Sequence, residues 1–196
     1  MNANSRLRYR PDWQGGPRQV YLEGEAYFDV APSGDQQSFT VTTPNQVQVQ
    51  VLATQFMVRE RARTTQVVLK DGRIHVNLAN SGARAADLRL HPGDYVELVD
   101  GLNTITRKKV EPGQYTAWKD NRLIFQDTPL EDILSRLKYE YGYQVEVKDS
   151  TLLKESFTGS YSSLRVEALL TALARSFALE VKQDQQQIIL GHQVRL

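Results

Sequence analysis

Between Pro17 and about Val110 the apolar residues fall at every second position, in short runs cut by turn residues. Val20 and Leu22 lead into Glu23-Gly24-Glu25, and Tyr27, Phe28 and Val30 end at Ala31-Pro32-Ser33-Gly34-Asp35. Phe39 and Val41 alternate with threonines. Val47, Val49 and Val51 alternate with Gln46, Gln48 and Gln50, the pattern of a half-buried strand with one wet face. Val67-Val68-Leu69 runs into Lys70-Asp71-Gly72, after which Ile74, Val76 and Leu78 resume the alternation. An Asp-Gly between two alternating runs predicts a hairpin. Pro92-Gly93, Asp100-Gly101 and Pro112-Gly113 punctuate the rest. No helical stripe crosses this half, and turns recur every ~8–12 residues, so it reads as all-β: a sandwich, roll or solenoid.

From Arg122 the period changes. Leu123 and Phe125 make a short strand, and Thr128-Pro129-Leu130-Glu131 predicts a helix start in which Thr128 caps, Pro129 takes the first position and Glu131 closes a capping box. Leu130, Ile133, Leu134, Leu137 and Tyr141 share one helix face, and Gly142 supplies a left-handed stop. Tyr143, Val145 and Val147 alternate as a strand; Phe157 and Tyr161 belong to another. Ser163 is the expected cap of a second helix with Val166, Leu169, Leu170, Leu173 and Phe177 on one face. Leu179 and Val181, then Ile188-Ile189-Leu190, end the pattern. An offset of 36 residues carries Phe125 to Tyr161, Leu130 to Val166, Ile133 to Leu169, Leu137 to Leu173 and Val145 to Val181. Duplication and the chance alignment of two amphipathic units both account for this. Either predicts two β-α-β units sharing one small sheet, with both helices on one face. The fold class is thus an all-β domain over 1–112 followed by a small α+β domain over 120–196, divided within 108–122 at Glu111-Pro112-Gly113-Gln114.

Composition narrows the function. The chain has 196 residues, 40% hydrophobic and 24% charged, with 24 Lys and Arg against 23 Asp and Glu, a net charge of +1. That balance excludes a highly charged nucleic-acid binder. Mean hydropathy is −0.47, no run approaches the ~18 apolar residues of a membrane span, and the first residues show no apolar core of a signal peptide. With no cysteine, a disulfide framework, thiolate catalysis and cysteine-based zinc sites are excluded.

The sequence carries few residues in patterns that point to reactive chemistry. His75, His91 and His192 are scattered, without metal-ligand spacing. There is no nucleophile elbow, no phosphate-cradling loop and no dinucleotide fingerprint; Thr158-Gly159-Ser160 reads as a turn. Glu23 and Glu25 fall on one side of an extended strand, Arg59, Arg61 and Arg63 on one side of another, and Arg107-Lys108-Lys109 forms a basic run. Without interleaved aromatics these charges read as solvated edges that deter strand pairing. The expectation is no enzyme, no metal and no cofactor. Three function classes stay open: a signalling and binding module, which is favoured; a carbohydrate- or peptidoglycan-binding β protein, for which Trp13 and Trp118 are the candidate platform; and a hydrolase assembled from carboxylates with perturbed pKa values.

Arg18-Gln19-Val20-Tyr21-Leu22-Glu23-Gly24-Glu25-Ala26-Tyr27-Phe28-Asp29-Val30 resembles the signature strand pair of FecR-type anti-sigma factors. Phe39 to Thr43, Val51 to Val58, Leu69 to Val76 and Leu90-His91-Pro92-Gly93-Asp94 continue the match. Ala53 stands where the family carries Gly; if that Gly holds a special backbone angle, Ala53 disturbs the local geometry. Leu123 through Leu190 resembles the secretin/TonB short N-terminal domain, so the likeness covers nearly all of the chain. It implies the periplasmic listening part of a transmembrane regulator, anchored in the inner membrane. The implied partner is the N-terminal signalling domain of a TonB-dependent outer-membrane receptor. The sigma factor would be held by a cytoplasmic segment, and the membrane crossed by an upstream helix, both absent from these residues; no nucleic acid is implied. Asn2 to Tyr9 looks like the middle of the family's first hairpin, which implies that Met1 was supplied by cloning.

Two partner-binding candidates follow. Gln186-Gln187-Ile188-Ile189-Leu190 is short and low in charge; at a sheet edge it would offer backbone groups to a partner strand, whereas as an inner strand Ile188, Ile189 and Leu190 are core. Tyr139 falls off its helix's apolar stripe and reads as an exposed interface anchor.

Overall fold

The computed structural model describes the chain except for residues 12, 14–15, 35–36, 79–87, 101–103 and 193–196. The expected turn residues Asp35 and Gly101 lie outside the described residues, as does the side chain of His192. The chain divides into two compact units, Met1–Thr116 and Ala117–Leu196.

In the first unit β1 (Arg6–Tyr9), β2 (Arg18–Val30), β3 (Phe39–Thr42), β4 (Val47–Val51), β5 (Thr54–Arg61), β6 (Thr64–Asp71), β7 (Ile74–Leu78), β8 (Leu88–Leu90), β9 (Asp94–Val99) and β10 (Thr104–Lys109) precede a short helix α1 (Pro112–Thr116). They join one sheet in the order β10-β9-β6-β5-β2-β3-β4-β7-β8, with β1 beside β2. β2 serves both halves: Arg18–Tyr21 pair with β3 in parallel, and Gly24–Val30 pair with β5 antiparallel. Inward side chains from both halves, among them Leu22, Phe28, Val41, Val49, Phe56, Leu69, Val76, Leu90 and Val96, form a single core. The sheet is therefore curled about its own apolar face. Alternation predicted this face strand by strand; in β4 the valines are buried while Gln48 and Gln50 point away.

Asp71-Gly72 is not a hairpin turn. β6 pairs with β5 and β9, and β7 pairs with β4 and β8, so the chain crosses here from one half of the sheet to the other. Gly72 permits the corner: its φ is +94°, and a Cβ would lie 2.6 Å from the Ala53 carbonyl oxygen. Thr54 Oγ1 donates to the Arg73 carbonyl at 3.1 Å and ties this corner to the adjoining one. Ala53 itself is absent from the residues with positive φ, so it holds no strained angle.

The second unit opens with a 3-10 turn at Ala117–Asp120. Then come β11 (Arg122–Pro129), α2 (Leu130–Tyr141), β12 (Gln144–Val147), a 3-10 turn at Ser150–Lys154, β13 (Ser156–Ser162), α3 (Val166–Ser176), β14 (Leu179–Asp184) and β15 (Gln187–His192). The expected shared sheet is not formed. The first strands of the two repeats pair with each other, β11 with β13, while their last strands, β12 and β14, flank β15 in a second sheet. Each helix thus carries the chain from one sheet to the other. Leu130, Ile133, Leu134 and Leu137 of α2 and Val166, Leu169, Leu170 and Leu173 of α3 meet Leu123, Phe125, Ile188 and Leu190 in one core.

The expected caps are replaced. β11 continues through Thr128 and Pro129, paired with Phe157 and Ser156, so Pro129 is the N-cap of α2 and Thr128 Oγ1 donates to Gln126 O instead. The Leu130 N–H is satisfied by Glu155 O at 2.9 Å. α3 starts from Arg165 without a side-chain cap, and Ser163 hydrogen-bonds Tyr141. Gly142 closes α2 in the left-handed region, as its position predicts.

Candidate functional site

β15 lies between β12 and β14, in parallel register with one and antiparallel with the other. Both its edges are occupied, so the edge-strand alternative for Ile188, Ile189 and Leu190 is corrected. Ile188 and Leu190 are fully buried, and Ile189 is half-buried on the opposite face. The alternating Ile and Leu there report core packing. The outer strands of this sheet are β12 and β14. β14 presents Glu180, Lys182 and Asp184, with Lys182 paired to Glu180 at 3.5 Å. β12 is less charged, with half-buried Val145 and Val147 alternating with exposed Gln144 and Glu146. Tyr139 is half-buried rather than exposed, with Lys138 Nζ 5.6 Å from its ring centre.

Neither tryptophan presents an open platform. Trp13 packs edge-on to Phe39 at 6.2 Å and tilted to Tyr9 at 6.0 Å, with its indole Nε1 buried. Trp118 is half-buried, and its Nε1 is also buried.

The charged residues of the first unit are not simply solvated edges. Glu23 is: it lies near the surface with Arg6 and Arg8. Glu25, two residues on, is 0% exposed, although it sits on the face opposite the core. Arg59 Nη2 donates to its Oε1 at 3.0 Å, and Arg61 Nη2 lies 3.8 Å from its Oε2. Residues 2–5 cover it. Asn2 N–H donates to Glu25 O and Asn2 Nδ2 to Glu25 Oε2, both at 2.9 Å, while the Glu25 N–H donates to Ser5 Oγ at 2.8 Å. Gly24, at φ +95°, makes room: a Cβ would meet Ser5 Oγ at 2.5 Å. The expectation of a wet carboxylate fails because its cover comes from residues 20 and more positions away.

From Glu25 a polar row crosses the outer face of four strands. The registered partners are Glu25 on β2, Arg59 on β5, Gln66 on β6 and Glu97 on β9. Arg59 Nη1 donates to Gln66 Oε1 at 3.5 Å, Gln66 Nε2 to Glu97 Oε2 at 2.8 Å, and Tyr95 OH to the same Glu97 oxygen at 2.6 Å. Beside this row Met57, Val68 and Tyr95 form an apolar patch covered by Val110 and Tyr115. The Tyr95 and Tyr115 rings lie 5.4 Å apart. Near the start of the row, burial and the neighbouring Glu23 raise the Glu60 carboxyl above its usual range.

β10 is an outer strand with all six residues exposed. Its basic side chains are engaged within the unit. Arg107 and Lys109 reach buried Asp94 at 2.7 and 3.0 Å, and Lys108 Nζ lies 4.8 Å from the Tyr95 ring centre. Burial pushes the Asp94 carboxyl up, but the His91 N–H, Lys109 and Arg107 outweigh it and hold it down at about 2. This is a guarded edge. His91 Nδ1 lies 3.9 Å from Asp94. Among the described residues no group of three or more His, Asp or Glu is placed to hold a metal ion, and no helix is long and apolar enough to cross a membrane.

Residues 1–75 match the family model described as FecR protein, and residues 122–190 match that described as FecR, C-terminal. No curated protein matches the chain significantly. Two crystal structures of a protein from Parabacteroides distasonis ATCC 8503, provisionally assigned as an anti-sigma factor, are similar to it. Their TM-scores are 0.82 and 0.81, each at 23% identity over 99% of this chain and 89% of that one. At that identity the similarity is one of fold.

Proposed function

Because this chain belongs to the FecR family, we propose that it is the signal-receiving region of a transmembrane anti-sigma factor. In this reading it stands in the periplasm and relays the state of a TonB-dependent outer-membrane receptor to an extracytoplasmic-function sigma factor. The sigma factor binds a cytoplasmic segment and a helix crosses the inner membrane, neither within these 196 residues. The observation that carries the reading is the pair of family matches in one chain, one within each compact unit.

The work so described is binding, without a reaction. A receptor domain could add a strand to the second unit, and the available edge is β12 more than β14. Backbone pairing there supplies affinity, and half-buried Val145 and Val147 supply side-chain contact. The charges along β14 oppose an indiscriminate partner.

Titration calorimetry of the full chain with the periplasmic N-terminal domain of the receptor encoded beside it tests the reading. A saturable one-to-one complex is expected. No heat and no co-elution, with both proteins folded by circular dichroism, would overturn it. Val145→Pro, which blocks a ladder on β12, is expected to weaken the complex. Full affinity in a folded Val145→Pro chain would move the contact elsewhere.

A further inference from the structure

We propose that residues 2–5 are a releasable strap, and that the polar row from Glu25 to Glu97 transmits its release to the Tyr95–Tyr115 packing at the end of the first unit. The proposal goes beyond the receptor reading and does not depend on it.

The strap has the properties of an element with two states. Its attachment is polar: three hydrogen bonds join Asn2 and Ser5 to Glu25, and Arg61 donates to Ala3 O at 3.4 Å. None of residues 2–5 belongs to the apolar core. Elements with few buried apolar contacts open at the low end of a protein's stability range. When the strap leaves, Glu25 loses the Asn2 Nδ2 donor and its N–H loses the Ser5 acceptor, while the carboxylate remains attached to β2. An under-satisfied carboxylate draws harder on the donors it retains, Arg59 and Arg61.

Arg59 is where the two ends compete. One of its amino groups holds Glu25 at 3.0 Å, and the other holds Gln66 at only 3.5 Å, the longest rung of the row. A shift of the guanidinium toward Glu25 breaks that rung first. The Gln66 amide is then free to turn, and its 2.8 Å bond to Glu97 Oε2 is the next to change. The same oxygen accepts from Tyr95 OH, so the phenol that packs against Tyr115 sits at the far end of one connected set of bonds. Physical connection alone does not establish coupling; a two-state element whose equilibrium both ends bias does. The strap is that element.

Hydrogen exchange followed by mass spectrometry on the full chain tests this. The double variant Asn2→Ala, Ser5→Ala removes the two side-chain attachments and leaves the two through the strap's backbone, so it shifts the strap toward release, which faster exchange across residues 24–26 reports. Exchange in 94–99 and 110–116 is then expected to rise by roughly three- to thirtyfold, the range of typical coupling energies. In a Gln66→Met background, which keeps length and removes the hydrogen bonds, the strap variant is expected to leave those two segments unchanged. Tyr95→Phe provides a second interruption at the far end, should Gln66→Met fail to fold. Unchanged exchange in 94–99 and 110–116 after strap release would overturn the proposal. So would an equal rise when the row is already cut, because the effect would then travel through the backbone.

Discussion

Glu25 shows how far a residue's surroundings can depart from what its type and its neighbours in sequence suggest. Period-two spacing correctly puts Glu23 and Glu25 on one side of β2, away from the core. It could not reveal that Arg59, Arg61, Asn2 and Ser5 close over one of the pair and not the other, since these come from other elements. The difference has a measurable size. Glu25→Ala leaves two largely buried guanidiniums without their carboxylate and is expected to cost about 3–5 kcal/mol in urea unfolding. Glu23→Ala removes exposed pairs and is expected to cost no more than about 1 kcal/mol. Equal costs would mean that the burial of Glu25 is not maintained in solution. Asp94 carries a pH dependence with a definite sign. Its folded pKa of about 2 lies below the ordinary 3.8, so its stabilising contribution is present in full above about pH 4 and is lost as the pH falls toward 2. The contribution is about 2 kcal/mol at most, discounted because Arg107 and Lys109 are partly exposed. Asp94→Asn is expected to flatten this part of the stability curve, measured by urea melts between pH 2 and 5.

Elements were legible where their signal is local. The stripes of α2 and α3 were readable because helix neighbours lie three and four residues apart, and every leucine assigned to the inner face is buried. Leu137→Ala and Leu173→Ala, at equivalent places in the repeat, are each expected to cost about 2–5 kcal/mol. A cost below about 0.5 kcal/mol for either would contradict the packing. Caps and pairings were less legible because each has a competing partner far along the chain. Thr128 has the chemistry of a cap, but the ladder to Phe157 holds it in β11. Asp71-Gly72 has the chemistry of a hairpin, but β5 and β9 occupy both sides of β6. The glycine still matters there: Gly72→Ala meets both positive φ and the Ala53 carbonyl, whereas Ala53→Gly changes little in the fold. Thermal melts of the two variants should separate them clearly. The centrality of β15 was unreadable for the same reason. Ile189→Pro now tests core integrity, and it is expected to unfold the second unit by removing a donor from a strand paired on both sides.

At the scale of the whole molecule, the change from period two to period 3.6 marks where one kind of core gives way to another. The expected divider, Pro112-Gly113, opens α1, which runs to Thr116, and Ala117–Asp120 then form a 3-10 turn, with Thr116 and Ala117 buried. Pro and Gly here open a short helix instead of a loose linker. The first unit's apolar residues lie in one sheet and its outer patch, and the second unit's lie between two small sheets and two helices. We therefore expect each unit to unfold as its own cooperative block. Leu173→Ala is the probe, since Leu173 is fully buried in the second core. Urea unfolding followed by hydrogen exchange should show the variant losing protection in 123–190 at lower denaturant, while 20–98 keeps its wild-type midpoint. Glu25→Ala should do the reverse. If either substitution moved both midpoints together, the two cores would form a single cooperative unit. The strap at residues 2–5 would then bear on the stability of the second unit as well as the first.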